Sequence, residues 1–321
     1  MKLQPINSGF LEELDGHKVH YAQYGNVDGE SIIVLHGGPG DKSKPKHFSR
    51  YDLSKYNVIA YDQRGCGEST PLGKIDHNTT SDLVNDIERI REKLGIKSWY
   101  VAGGSWGSTL ALVYAESFPT IVKGLLLSAV SLARPRDIEW QYTKKDQVDR
   151  IFPDLWDRQN EFLQKFHTTQ SGAAKDLLAL IESSDEDTVR EIVAGVMHWE
   201  GNLMTSQSDL TFIDPSDVTE EDIASVKIFL SYEVNNFYLT SNQIIDNIGT
   251  IKNIPTVIVH GRYDLLCPVE NAWDLQKHLN NVETIILPSS NHRFTAEGDI
   301  VKKYAFNYFL EKQKTTKELG V

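Results

Sequence analysis

The chain has 321 residues, 40% of them hydrophobic and 24% charged, with 22 Gly and 11 Pro; this is ordinary globular composition and excludes collagen-like, low-complexity and wholly disordered chains. Its 45 Asp and Glu against 33 Lys and Arg leave a net charge of -12, which argues against nucleic acid and against an anionic membrane surface as partners. Two cysteines, Cys66 and Cys267, are too few for a disulfide framework or a Cys-rich metal cluster. With no secretion-type apolar stretch at the start and no apolar run approaching roughly 18 residues, a cytoplasmic protein with free thiols and no membrane span is expected.

In chain order, the first expected strand is Val19 to Gly25, followed by Ser31 to Leu35, whose Ile32-Ile33-Val34-Leu35 run is continuously apolar, as a strand covered on both faces requires. Directly after it comes His36-Gly37-Gly38-Pro39-Gly40, a turn whose glycines let backbone N–H groups approach a substrate. The strand Asn57 to Tyr61 leads into Asp62-Gln63-Arg64-Gly65-Cys66-Gly67-Glu68-Ser69, read as a hydrogen-bonded scaffold loop on the same rim. Thr80 to Leu94 is a helix, with Leu83, Ile87, Ile90 and Leu94 on one face and Gly95 as the stop. Trp99 to Ala102 and Lys123 to Ser128 are further strands, then Pro255 to His260, a helix from Val269 to Leu279, and the strand Glu283 to Leu287. Strand and helix alternate, which defines an α/β architecture built on a parallel sheet.

The alternation stops between about Leu132 and Asp246, where the sequence turns helix-forming, acidic and aromatic. Residues 1–131 and 247–321 are therefore expected to form one α/β core, and 132–246 a mostly helical acidic cap inserted into it. From Arg150 to Asp246 there are 18 acidic and 6 basic residues, so this segment holds the entire net charge. It is read either as a solubilising face or as a surface that draws cationic substrates to a site beneath it.

Val101-Ala102-Gly103-Gly104-Ser105-Trp106-Gly107-Ser108 is an apolar strand running through G-x-S-x-G into a helix, the strand–turn–helix context of a nucleophile elbow. A serine hydroxyl needs a base to take its proton, and the base needs an acid to hold its tautomer. Asp264 follows the strand ending at His260, and His292 follows the strand ending at Leu287; both fall beyond carboxyl ends of strands, where open parallel sheets build their sites. Ser105, Asp264 and His292 are accordingly the expected catalytic residues, with the N–H groups of Gly38 and Trp106 as the oxyanion hole. His36 is read as holding the glycine loop. Cys66 and Cys267 lie near this centre without a catalytic part.

On HGGPG at 36–40, DQRGCGES at 62–69, NTTSDLVNDIERIREKLGI at 78–96, GGSWGSTLAL at 103–112 and GRYDLLCP at 261–268, the chain resembles the proline iminopeptidases, or prolyl aminopeptidases. The resemblance implies an α/β-hydrolase fold, a mostly parallel central sheet flanked by helices with an inserted helical cap. It also implies release of N-terminal proline from short peptides through a prolyl-enzyme, without metal or other cofactor. Cap glutamates of the family bind the substrate's protonated amine, and by resemblance these are Glu200 in His198-Trp199-Glu200 and Glu233 in Ser231-Tyr232-Glu233. Ser231 and Tyr232 stand where the family has Arg-Ile, and Asn235 where it has His. Trp140, Tyr142, Tyr232 and Phe237 are candidates for packing on the pyrrolidine ring. A broader aminopeptidase or amide/ester hydrolase of the same fold stays open as an alternative, as does a catalytically silent binding protein; Ser rather than Asp at the elbow disfavours an epoxide hydrolase or dehalogenase. Oligomeric state leaves no trace in the sequence.

Overall fold

The apolar runs form one eight-stranded sheet in the computed structural model, which describes residues 3–142, 148–206 and 213–319. Its strands are β1 (Asn7–Phe10), β2 (His20–Gly25), β3 (Glu30–Leu35), β4 (Tyr56–Tyr61), β5 (Trp99–Ser105), β6 (Val122–Val130), β7 (Thr256–Gly261) and β8 (Val282–Leu287). They lie side by side in the order β1-β2-β4-β3-β5-β6-β7-β8. The β1–β2 and β2–β4 pairs are antiparallel; from β4 to β8 every pair is parallel. β1 is absent from the sequence expectation because Asn-Ser-Gly-Phe on an exposed sheet edge carries no apolar pattern.

Two layers of helices enclose the sheet. On one face lie α1 (Pro45–Phe48) and, from the chain's end, the helix Ala296–Leu319; Phe48, Phe306, Phe309 and Leu310 pack there on Ile32, Val58 and Val257. The other face takes α2 (Thr80–Lys93), α3 (Trp106–Ser117) and the helix Glu270–His278. The α2 helix starts at a reciprocal box in which Thr79 N donates to Asp82 at 2.9 Å and Asp82 N to the Thr79 hydroxyl at 3.3 Å. Its Leu83, Ile87 and Ile90 are almost fully buried, each contributing about 2 kcal/mol of apolar transfer.

Between β6 and β7 the described residues form α4 (Pro135–Tyr142), α5 (Val148–Ile151), α6 (Pro153–Lys165), α7 (Ala173–Ser183), α8 (Glu186–Thr205) and α9 (Glu220–Val234). Leu163, Leu177, Ile192, Val193, Val226 and Leu230 give these helices a core of their own. A second cluster, with Trp156, Trp199 and Leu203 against Leu266 and Cys267, seats them on the loop after β7. After α9 the chain turns back to the sheet: α10 (Gln243–Asp246) buries Ile244 in the core beside α3, and Phe237 accepts a 2.5 Å hydrogen bond from the Thr80 hydroxyl. Residues 236–246, assigned to the cap on sequence, thus pack on α2 and α3. The helices α11 (Glu270–His278) and α12 (Ala296–Leu319) complete the core. No helix among the described residues is long and apolar enough to cross a membrane.

Candidate active site

Register pairs such as Leu35–Gly103 and Gly261–Leu287 bring the carboxyl ends of the central strands level. Four loops rise from that edge, carrying Gly37 and Gly38, Ser105, Asp264, and His292. At the nucleophile turn Ser105 adopts φ 57° and ψ −133°, a left-handed conformation that costs a non-glycine residue about 1–3 kcal/mol. Close approach of backbone holds it there: a Cβ on Gly103 would stand 2.0 Å from the Gly107 carbonyl oxygen, and one on Gly107 2.3 Å from that of Leu35. The Ser108 hydroxyl donates to the Ser105 carbonyl at 2.6 Å and accepts from Ser131 N at 3.0 Å, tying the elbow to the end of β6.

His292 places Nδ1 2.9 Å from both carboxylate oxygens of Asp264. That pairing puts the imidazole proton on Nδ1 and leaves Nε2 free to accept. Asp264 is buried and also accepts from Leu266 N at 3.1 Å and Cys267 N at 2.8 Å. Sequence reasoning missed His260, which braces this turn from below. Its Nδ1 accepts from Val130 N at 3.0 Å, so Nε2 carries the proton and donates to the Cys267 carbonyl at 2.8 Å, 3.5 Å from Asp264 Oδ2. Burial lowers the basicity of His260, keeping it neutral.

Cys267 lies close to the Ser105 and Ser131 hydroxyls, and burial pushes its thiol well above the ordinary range. One donor atom each of Asp264, Cys267 and His292 lie within 4.8 Å of one another. Among the described residues this is the one trio with metal-ligand donors so close, and two of its members are already bonded to each other.

The glycine loop packs on Ser105, since a Cβ on Gly37 would meet the Ser105 Cβ at 3.4 Å. Gly38, at φ 108°, lines the same cavity, and Trp106 as the first residue of α3 has no intrahelical acceptor for its N–H. The loop after β4 holds both in place. Gln63 N donates to His36 Nε2 at 3.0 Å, the Gln63 amide donates to the His36 carbonyl at 2.9 Å, and Trp106 Nε1 donates to Gln63 Oε1 at 2.9 Å. Arg64 is engaged in a buried bidentate pair with Asp86 at 2.6 and 3.0 Å.

Ser105, His292, Gly38 and Glu200 line one cavity of about 870 Å³ under the cap. Burial pushes the Glu200 carboxyl up to about 7, opposed by the facing His292 imidazole. Glu233 does not line that cavity; it sits behind, hydrogen-bonded to the Tyr142 hydroxyl, and burial together with the Glu200 charge raises its carboxyl well above the usual range. Two carboxyls so placed hold their protons more tightly than exposed ones do. The aromatics singled out on sequence do not face this cavity. Tyr232 and Phe237 pack on the Trp106 ring at centroid distances of 5.1 and 5.7 Å, and Trp140 and Tyr142 belong to the cluster around Trp199. Phe229, Phe294, Phe306 and Tyr51 supply the aromatic wall instead. Ser231 and Asn235, the departures from the family pattern, both reach the Tyr238 hydroxyl at 3.2 Å.

A family model described as the alpha/beta hydrolase fold matches residues 30–299. Solved structures agree: a proline iminopeptidase-related protein of Thermus thermophilus superposes with a TM-score of 0.60 at 18% identity, over 97% of this chain and 98% of its own. A haloalkane dehalogenase variant from Bradyrhizobium elkanii gives 0.63 at 18% identity, over 98% and 99%. At such identities these two establish the fold alone, that of an α/β hydrolase. Sequence relatives go further: a proline iminopeptidase of Xylella fastidiosa strain 9a5c is 37% identical over 301 residues, 91% of this chain and 92% of that one. One from Arabidopsis thaliana is 36% identical over 299 residues, covering 92% and 77%. The chain belongs to the proline iminopeptidases of the α/β hydrolase fold family.

Proposed function

We propose that the protein is a serine exopeptidase that releases N-terminal proline from peptides. The observation that carries this reading is the position of Glu200, a half-buried carboxyl facing His292 in the cavity that holds Ser105. An exopeptidase counts one residue from a free amine, and a carboxylate at fixed distance from the nucleophile makes that count by a charge-assisted hydrogen bond. Ser105 attacks the prolyl carbonyl while His292 Nε2 takes the hydroxyl proton and Asp264 holds the imidazole. The oxyanion is received by the N–H groups of Gly38 and Trp106, each donor lowering the barrier by about 3 kcal/mol. His292 then protonates the leaving amine, and water releases proline with the same groups in reversed roles. Glu233 and Tyr142 support Glu200 from behind. Cys66 and Cys267 as buried free thiols support a reducing, cytoplasmic setting.

The test compares kcat/KM for proline p-nitroanilide with its N-acetylated form, alanine p-nitroanilide and p-nitrophenyl acetate. A large preference for the free prolyl substrate is expected; equal turnover of the blocked substrate or the ester overturns the reading. Ser231 and Asn235 in place of the family's residues favour one second reading, a broader aminopeptidase, which comparable turnover of the alanyl substrate would establish.

A further inference from the structure

If the substrate's amine is held by the cap carboxyls and its first carbonyl lies at Ser105, the rest of the peptide must leave by the remaining part of the cavity. That part runs between the segment 44–51 and the segment 293–306. The two bring six cationic side chains to the cavity wall, Lys44, Lys46, Arg50, Arg293, Lys302 and Lys303, with Asp299; Asp41 and Asp222 also line the cavity. Lys44 is neutralised by Asp41 at 2.8 Å, and Lys302 by Asp299 at 2.9 Å. Lys46, Arg50, Arg293 and Lys303 have no carboxylate partner within 4 Å among the described residues.

The seam is built rather than casual. Lys302 is only 6% exposed, with its ammonium 3.8 Å from the centre of the Phe294 ring. The Arg50 guanidinium donates to the Lys46 carbonyl at 3.2 and 3.1 Å, and the Asn307 amide of α12 donates to the Arg50 carbonyl at 2.9 Å, so the two segments are locked together. Burial and the neighbouring Arg50 and Lys46 charges pull the Lys302 ammonium down to about 8, against Asp299. Uncompensated cations in a partly enclosed cleft focus potential and favour an anionic ligand.

We propose that this basic seam binds a carboxylate on the leaving part of the peptide, either the C-terminus of a di- or tripeptide or an acidic side chain at the same reach. The inference rests on the prolyl aminopeptidase reading and deepens it: the cavity is polarised to match a short zwitterionic peptide, amine toward the cap and carboxylate toward α12.

The test uses the full chain with Pro-Gly and Pro-Gly-Gly, their C-terminal amides, and Pro-Gly-Glu amide. Each free acid is expected to exceed its amide about tenfold in kcat/KM, through KM, at low ionic strength, and that ratio is expected to fall below about two in Arg50→Gln and in Lys46→Gln. Because the readout is a ratio within one enzyme preparation, partial misfolding of a variant does not mimic it. Rates for Pro-Gly-Glu amide equal to the acid identify the side chain as a source; rates equal to the amide identify the terminus. Acid, amide and glutamyl amide cleaved alike by the wild type, or a ratio unchanged in both variants, overturns the proposal. Proline p-nitroanilide carries no carboxylate, so its hydrolysis reports the parent reading separately.

Discussion

Replacing Glu200 by Gln should make the empty enzyme more stable while making it a poorer catalyst. The Glu200 carboxyl is pushed from 4.5 up to about 7, chiefly by burial. An acid with a raised folded-state pKa holds its proton more tightly folded than unfolded, so its burden is absent below about pH 4.5, grows as pH rises and is complete above about pH 7. The displacement corresponds to about 3 kcal/mol, an upper bound because Glu200 is partly exposed and solvent screens its charge. At pH 8 the glutamine variant is therefore expected to melt roughly 5 °C above wild type, and at pH 4.5 the two should coincide. The same change removes a charge-assisted contact to the substrate's ammonium, so kcat/KM for proline p-nitroanilide should drop about 10²-fold. Scanning calorimetry at the two pH values and initial rates at pH 8 make the comparison. A variant no more stable than wild type at pH 8, or a stability difference that does not change with pH, refutes the electrostatic argument even if activity falls.

Ser105→Ala should cost at least about 10⁴ in kcat while leaving the melting temperature nearly unchanged, and retention of normal turnover in rate assays would remove Ser105 from the mechanism. Gly107→Ala drives a methyl to 2.3 Å from the Leu35 carbonyl, so a loss of more than about 3 kcal/mol in urea unfolding, or no folded protein at all, is expected; a fully stable variant would contradict the described packing. His260→Gln should lower kcat more than it raises KM, because it loosens the Asp264 turn without touching substrate, and a pure KM effect would count against that. Cys267 is buried with its thiol pushed up, so iodoacetamide at pH 7.5 should label it only on unfolding; rapid stoichiometric labelling of the folded enzyme, read by mass spectrometry, would be the contrary result.

The parallel strands are legible in the sequence because burial on both faces leaves continuous apolar runs such as Ile32 to Leu35, and α2 because its cap, its apolar face and Gly95 agree. Ser105, Asp264 and His292 stand where strand ends and chain order place them, since the sheet itself aligns those loops. Glu200 and Glu233 can be picked out only by family resemblance: among 18 acids in that stretch nothing local distinguishes a carboxyl facing a cavity from one facing water. His260, Ser108 and Gln63 act through contacts with distant backbone, which no short motif encodes. The basic seam is equally hidden, because its cations come from segments some 250 residues apart and only α12 packing beside α1 unites them. The aromatics expected at the pyrrolidine ring mislead for the opposite reason, as large rings near an elbow are as useful in closing its core.

About 125 residues separate the end of β6 from the start of β7, yet these strands are hydrogen-bonded neighbours. Closing so long a segment costs about 4 kcal/mol in chain entropy, reduced where the inserted helices fold first around their own core. On the ribosome, Ser105 is made well before Asp264 and His292, an interval of roughly 10 to 40 seconds at ordinary rates of synthesis. Throughout that interval the nascent chain lacks the strands that carry the proposed base and acid, and a chain truncated before β7 is expected to show no acylation burst. On the proposed roles of these residues, the chain gains its chemistry only when the last strands insert.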